Sequence, residues 1–160
     1  MQSLNSNYLF LNTIDNEKEN LLNFVKKEIY PIKKNQYPNF FKMEDIKLVL
    51  HEYLHKNKFE FAVKSHSDHN YKITCQKNNY GICVQLGNIG SFGLDIHKLN
   101  DCFKFNVIEK AVVIIPQNSL IKKMNSGNNA SLERISDRKQ YWSRQFLMPT
   151  LILGLGIIDR

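Results

Sequence analysis

Apolar residues recur at helical spacing in two places early in the chain. From Asp15, "DNEKENLLNFVKKEIY" sets Leu21, Leu22, Val25 and Ile29 on one stripe. Acids fill its first turn and lysines its end, as the helix dipole favours, and Pro31 stops it. After the connector "NQYP", Ile46, Val49, Leu50, Tyr53 and Leu54 predict a second helix from about Met43 to Lys56. The period then shortens to two. "KFEFAVKS" predicts a strand, and "YKITCQ" and "ICVQLG" predict two more, joined by the turn "QKNNYG". Tyr71, Ile73 and Cys75 share one face of the first run, with Lys72, Thr74 and Gln76 on the other; Ile82, Val84 and Leu86 oppose Cys83 and Gln85 in the second. A helix over Phe92 to Phe105 follows, then "AVVIIPQ", a continuous β-branched run expected of a strand buried on both faces. A short helix around "NSLIKKM", the loop "NSGNN", a basic helix from Ala130 to Tyr141 and a last strand, "TLILGLGII", complete the order.

That order predicts an α/β fold, a central mixed sheet flanked by helices. Residues 1–14 are polar and expected to be loosely held, leaving 15–160 as one domain. Repeats, low-complexity tracts and linkers are missing from the pattern. With 160 residues, 42% of them apolar and 23% charged, the chain can bury a real core. The N-terminus has no basic region leading into an apolar one, and the longest apolar run, Phe146 to Ile158, holds a proline and two glycines and is short for a membrane span. A soluble, intracellular protein is expected, nuclear in a eukaryote, with no membrane partner.

Cys75, Cys83 and Cys102 form no CxxC pair, so buried reduced thiols are expected rather than disulfides or zinc ligands. His51 and His55 stand four apart on the second helix, but "HEYLH" lacks the zincin order, and solvated or half-buried helix residues are expected. The net charge of +7 permits nucleic-acid binding. It does not establish it, because abundant Lys, Asn and Ile are also what an AT-rich genome encodes.

Three segments add chemistry: "GICVQLGN", "AVVIIPQNSLIKKMNSG" and "MPTLILGLGI". In order and spacing the chain, from "YPNFFKMEDIKLVLHEYLHKNKFEFAV" to its end, resembles the BglII-type restriction endonucleases. The resemblance implies a restriction-endonuclease-like fold and Mg²⁺-assisted phosphodiester hydrolysis. It also implies an Asp on the first hairpin strand and a Glu on the second, with Gln two residues later. Carried onto this sequence, the Asp falls on Thr74 and the Glu on Cys83, while Gln85 is kept. A hydroxyl and a thiol cannot supply the anionic oxygen ligands that Mg²⁺ demands, so these positions predict a catalytically degenerate member that carries no cofactor. Asp68, Asp95 and Glu28 are the acids that could have migrated into the site. Their expected places are a solvated turn for Asp68, a helix N-terminus for Asp95 and a wet helix face for Glu28.

Binding is then what remains. Lys122, Lys123, Arg134, Arg138, Lys139 and Arg144 crowd one segment, and Arg134 and Arg138, four apart, are expected to share a helix face that meets DNA phosphates. Asn125 and Asn128 are candidates for contacts to base edges or backbone. The expected role is a non-catalytic DNA-binding or scaffolding subunit of a DNA-modifying complex, with double-stranded DNA and further subunits as partners, an adenine methyltransferase among them. Two alternatives differ in class: an active Mg²⁺-dependent type II enzyme with relocated carboxylates, and an interaction module that never meets DNA.

Overall fold

The apolar run Lys110–Pro116 forms strand β5 and sets the frame of the molecule. Ala111, Val113 and Ile115 are buried in one layer of side chains and Val112 and Ile114 in another, so both faces of the strand are dry, as expected. In the computed structural model, which describes residues 3–29, 42–66 and 70–158, β5 lies inside a six-stranded sheet. Strands β4 (Tyr80–Val84) and β6 (Thr150–Ile158) pair with it in parallel, one on each side. Beyond β4 come β3 (Lys72–Lys77) and β2 (Glu60–Lys64), both antiparallel, which gives the mixed sheet expected from the sequence.

Strand β1 (Ser3–Leu11) closes the opposite edge and corrects the expectation of a loose tail. It pairs antiparallel with β6 from Ser3↔Ile158 to Leu11↔Thr150. Without it, β6 would present an unpaired edge. Leu9 and Leu11 are buried in one apolar layer, while Tyr8 and Phe10 pack on the other.

Helices cover both faces. Helix α1 (Asp15–Phe24) starts where Glu17 Oε2 accepts the Ile14 N–H at 2.9 Å. It gives way to a π-helical turn at Val25–Ile29, where one continuous α-helix was expected; Tyr30, Pro31 and the connector at 35–38 lie outside the described residues. Helix α2 (Met43–Lys56) buries Ile46, Leu50 and Leu54 beside Leu21, Val25 and Ile29 on the same face of the sheet. The other face carries α3 (Ile89–Lys104), whose Phe92 and Leu99 are fully buried. Truncating Phe92 to Ala would cost about 3–5 kcal/mol.

The connection from β5 to β6 runs through α4 (Asn118–Lys123), α5 (Leu132–Asp137) and α6 (Lys139–Ser143). Gly154 of β6 lets this connection press down: a Cβ there would lie 2.6 Å from Leu132 Cδ2. At the β3–β4 corner Asn78 and Asn79 take φ of 51° and 64°, the left-handed pair of a tight hairpin turn. All three cysteines are buried and unpaired, as the sequence predicts. Burial pushes the Cys75 thiol up to about 12 and that of Cys102 to about 11.

Candidate nucleic-acid interface

The β3–β4 hairpin is tightly paired at its turn and parts at its open end. Cα pairing is recorded from Lys77↔Tyr80 to Cys75↔Ile82; one residue further, the Val84 N–H donates to Thr74 Oγ1 at 3.0 Å instead of to backbone. The hydroxyl at the position expected to carry an Asp is therefore engaged inside the fold. Cys83 is 1% exposed and lies in the apolar layer with Phe92, Ile96 and Leu99. Burial raises its thiol well above the ordinary value, and the charge of Asp95 adds to the rise. A protonated, apolar-packed thiol is neither a nucleophile nor a hard-cation ligand.

Gln85 is buried, and both ends of its amide are bonded. Its Nε2 donates to Asp95 Oδ2 at 2.6 Å, its Oε1 accepts the Gly87 N–H at 2.7 Å, and its own N–H donates to Ile114 O at 2.8 Å. Gly87 permits this fold-back, since a Cβ there would sit 2.9 Å from Gln85 Oε1.

Of the acids considered for migration, Asp95 has moved in. Helix α3 starts three residues earlier than the apolar stripe suggests, because Asn88 caps it: Asn88 Oδ1 accepts the Ser91 N–H at 2.9 Å. Asp95 thus falls in the second turn, not at the helix end, and is 8% exposed. Its carboxyl pKa is raised, chiefly by burial, against the opposing pull of Lys98, Gln85 and Lys47. Lys98 Nζ lies 3.3 Å from Asp95 Oδ1. Glu28 corrects its expectation differently. Rather than facing water, it pairs with Lys77 at the closed end of the hairpin, away from the site. Asp68 lies outside the described residues.

The parted strands open into a cleft of ≈ 640 Å³. Helix α2 contributes Glu44, Lys47 and His51; β3 contributes Lys72 and Thr74; α3 contributes Leu94, Asp95 and Lys98. His51 Nε2 is buried without a hydrogen-bond partner, and burial, reinforced by the charge of Lys47, lowers its pKa. Lys47 and Lys98 carry no expectation from the sequence, and Lys72 and His51 are expected only as polar strand and helix positions. The signal was present in "EDIKLVLH", where Glu44, Lys47 and His51 at spacings of three and four mark the polar side of a helix scored for its apolar one.

The Mg²⁺ implied by the family resemblance is a poor fit to these donors. Among the described residues no three His, Cys, Asp or Glu side chains gather in a metal-holding group. The one buried acid of the cleft, Asp95, is already bonded to Gln85 and paired with Lys98.

The basic segment is divided by the fold. Its loop is tied to the cleft wall: Asn129 Nδ2 donates to Leu86 O at 2.5 Å, the Ala130 N–H donates to Gly87 O at 2.8 Å, and Asn129 bridges to Asn88. Asn125 and Asn128 on that loop, and Lys122 and Lys123 just before it, are exposed. Arg134 joins them, its Nη1 donating to Asn129 O at 3.1 Å. Arg138 ends the helix on which Arg134 lies. The chain leaves the helical conformation at Arg138 (φ −120°, ψ 34°), so one basic helix becomes the two short ones. Lys139 lines a separate hollow of ≈ 490 Å³ beside Asn12, Glu17 and Lys18, near the β1 edge, and Arg144 is exposed.

A mixed six-stranded sheet flanked by helices in this way is similar to the fold of the restriction endonuclease BglII. Its crystal structure complexed with a DNA 16-mer matches with a TM-score of 0.72, covering 97% of this chain and 77% of that one at 13% identity. The family model for restriction endonuclease BglII/BglIII matches residues 15–155, and the chain belongs to that family. No curated protein matches the sequence.

Proposed function

We propose that the chain grips double-stranded DNA in this cleft and does not hydrolyse it. The observation that carries the reading is the internal use of the two expected catalytic positions: Thr74 caps a backbone amide and Cys83 packs in the core. The shape of the fold supports the binding half, since a relative of the same architecture was solved on duplex DNA. Such a protein suits a non-catalytic subunit of a DNA-modifying complex, where grip on the duplex serves a separate catalytic chain. An adenine methyltransferase co-purifying with the protein from its own cells would place it there.

The test pairs two measurements on the whole chain. Duplex binding by mobility shift at low salt is expected, and plasmid incubated with Mg²⁺ or Mn²⁺ is expected to stay intact. The absence of any shift would favour an interaction module instead.

One observation favours a second reading, an active nuclease: Asp95 does reach the cleft and bonds Gln85. Under that reading reproducible cleavage bands appear and vanish in Asp95→Asn or Asp68→Asn.

A further inference from the structure

Three lysines from three different elements line the cleft at the open end of the hairpin: Lys47 from α2, Lys72 from β3 and Lys98 from α3. Among the described residues the acids that line the same cleft are Glu44 and Asp95. Lys98 Nζ lies 3.3 Å from Asp95 Oδ1, and the charge of Lys47 is felt by both Asp95 and His51. A metal site needs the opposite balance, with anions in excess around the cation.

We propose that this cleft is a metal-free phosphate pocket, in which Lys47, Lys72 and Lys98 take a DNA phosphodiester directly and Asp95 is the internal counter-ion that phosphate displaces from Lys98. The proposal rests on the reading that the chain grips duplex DNA, and it names the chemistry of that grip. Each ammonium carries three donors. Lys98 holds Asp95 through one of them, and a phosphate oxygen takes over that bond on binding. Gln85 and Thr74 already have internal partners, so the lysines carry the contact. His51 lines the same cleft, and protonation of its ring would add a further positive charge there. The charge balance that attracts phosphate repels a divalent cation, so one arrangement accounts for both the lost metal fit and the retained grip.

Fluorescence anisotropy of a labelled duplex, read in EDTA and in Mg²⁺, tests the pocket with four proteins. Wild type is expected to bind in EDTA with no gain from Mg²⁺. Lys47→Gln/Lys98→Gln is expected to bind about tenfold or more weakly, with the slope of log affinity against log salt reduced by about 1 for each lysine removed. Lys18→Gln, in the hollow near the β1 edge, is expected to match wild type. Asp95→Asn is expected to bind several-fold more tightly, a gain that misfolding cannot imitate. Wild-type binding with an unaffected double variant would overturn the pocket, as would Mg²⁺-dependent binding that Asp95→Asn abolishes. If wild type binds no duplex at any salt, the proposed function itself fails, and this result is distinct from the other two.

Discussion

Two carboxylate–lysine pairs stand at opposite ends of the β3–β4 hairpin, and their surroundings differ. At the closed end Glu28 meets Lys77 at 2.5 Å. The same ammonium donates to Asn57 O at 2.9 Å and lies 5.2 Å from the Phe59 ring centroid. A second lysine, the largely exposed Lys27, stands 3.8 Å from the other carboxylate oxygen. At the open end Asp95 meets Lys98 at the longer distance of 3.3 Å, next to a cleft that two further lysines also line. Both are ion pairs of partly buried groups, so pairing alone does not tell a fastener from a site. Whether the pair lines a cleft together with further lysines does.

The largest effect that can break this distinction is at the closed end. Lys77→Ala strands a mostly buried carboxylate and removes the bond to Asn57, and should cost about 2 kcal/mol, a drop on the order of 5 °C in Tm, with duplex affinity at low temperature unchanged. Thermal melts and anisotropy on the same sample check both halves. If DNA binding falls while Tm holds, the roles of the two ends have been misassigned.

Asp95→Asn is the smaller counterpart. Burial raises the Asp95 carboxyl pKa, so the folded state holds its proton more firmly than the unfolded chain. The stability from this group is fully present below the ordinary value of 3.8 and is lost as pH rises through the raised folded one. At neutral pH the Asn variant escapes that loss and should gain about 0.5 kcal/mol, on the order of 2 °C in Tm, a gain that shrinks as the buffer is made acidic. His51 works in the other direction. Its depressed pKa means that stability is lost as pH falls below about 6.5, while the proton gained there adds charge to the cleft and should tighten duplex binding. Anisotropy across that range, with His51→Gln as the flat reference, measures it.

The smallest effect separates the two arginines. Arg134→Glu should weaken binding about threefold and Arg138→Glu by less than about twofold, because only Arg134 is bonded to the loop that joins the cleft wall. Equal losses would mean that both reach the same stretch of backbone.

Which parts were legible in the chain follows from where the physics is local. The β-branched run of β5, the apolar stripe of α2 and the hairpin all announce themselves by periodicity, and the structure agrees. Strand β1 was missed because "SLNSNYLFL" opens with polar residues and is held by cross-strand pairing with β6, a partner about 150 residues away. The break at Arg138 has no proline or glycine to mark it. The misjudged place of Asp95 traces to one cap. Weighing Asn88 and Ser91 as a helix start, ahead of the apolar stripe, moves the acid by almost a full turn and into the cleft. The lysines of the pocket were unreadable as a set, since positions 47, 72 and 98 meet only once the sheet is assembled.

The two asparagines at the corner of the hairpin carry a consequence beyond the turn itself. A corner of two left-handed residues dictates which side chains of β3 and β4 stand opposite one another, and a slip of one position would invert their sides. Thr74 and Gln85 therefore owe their alignment to Asn78 and Asn79, and an insertion at that corner would scramble the distant pocket without touching any residue that lines it.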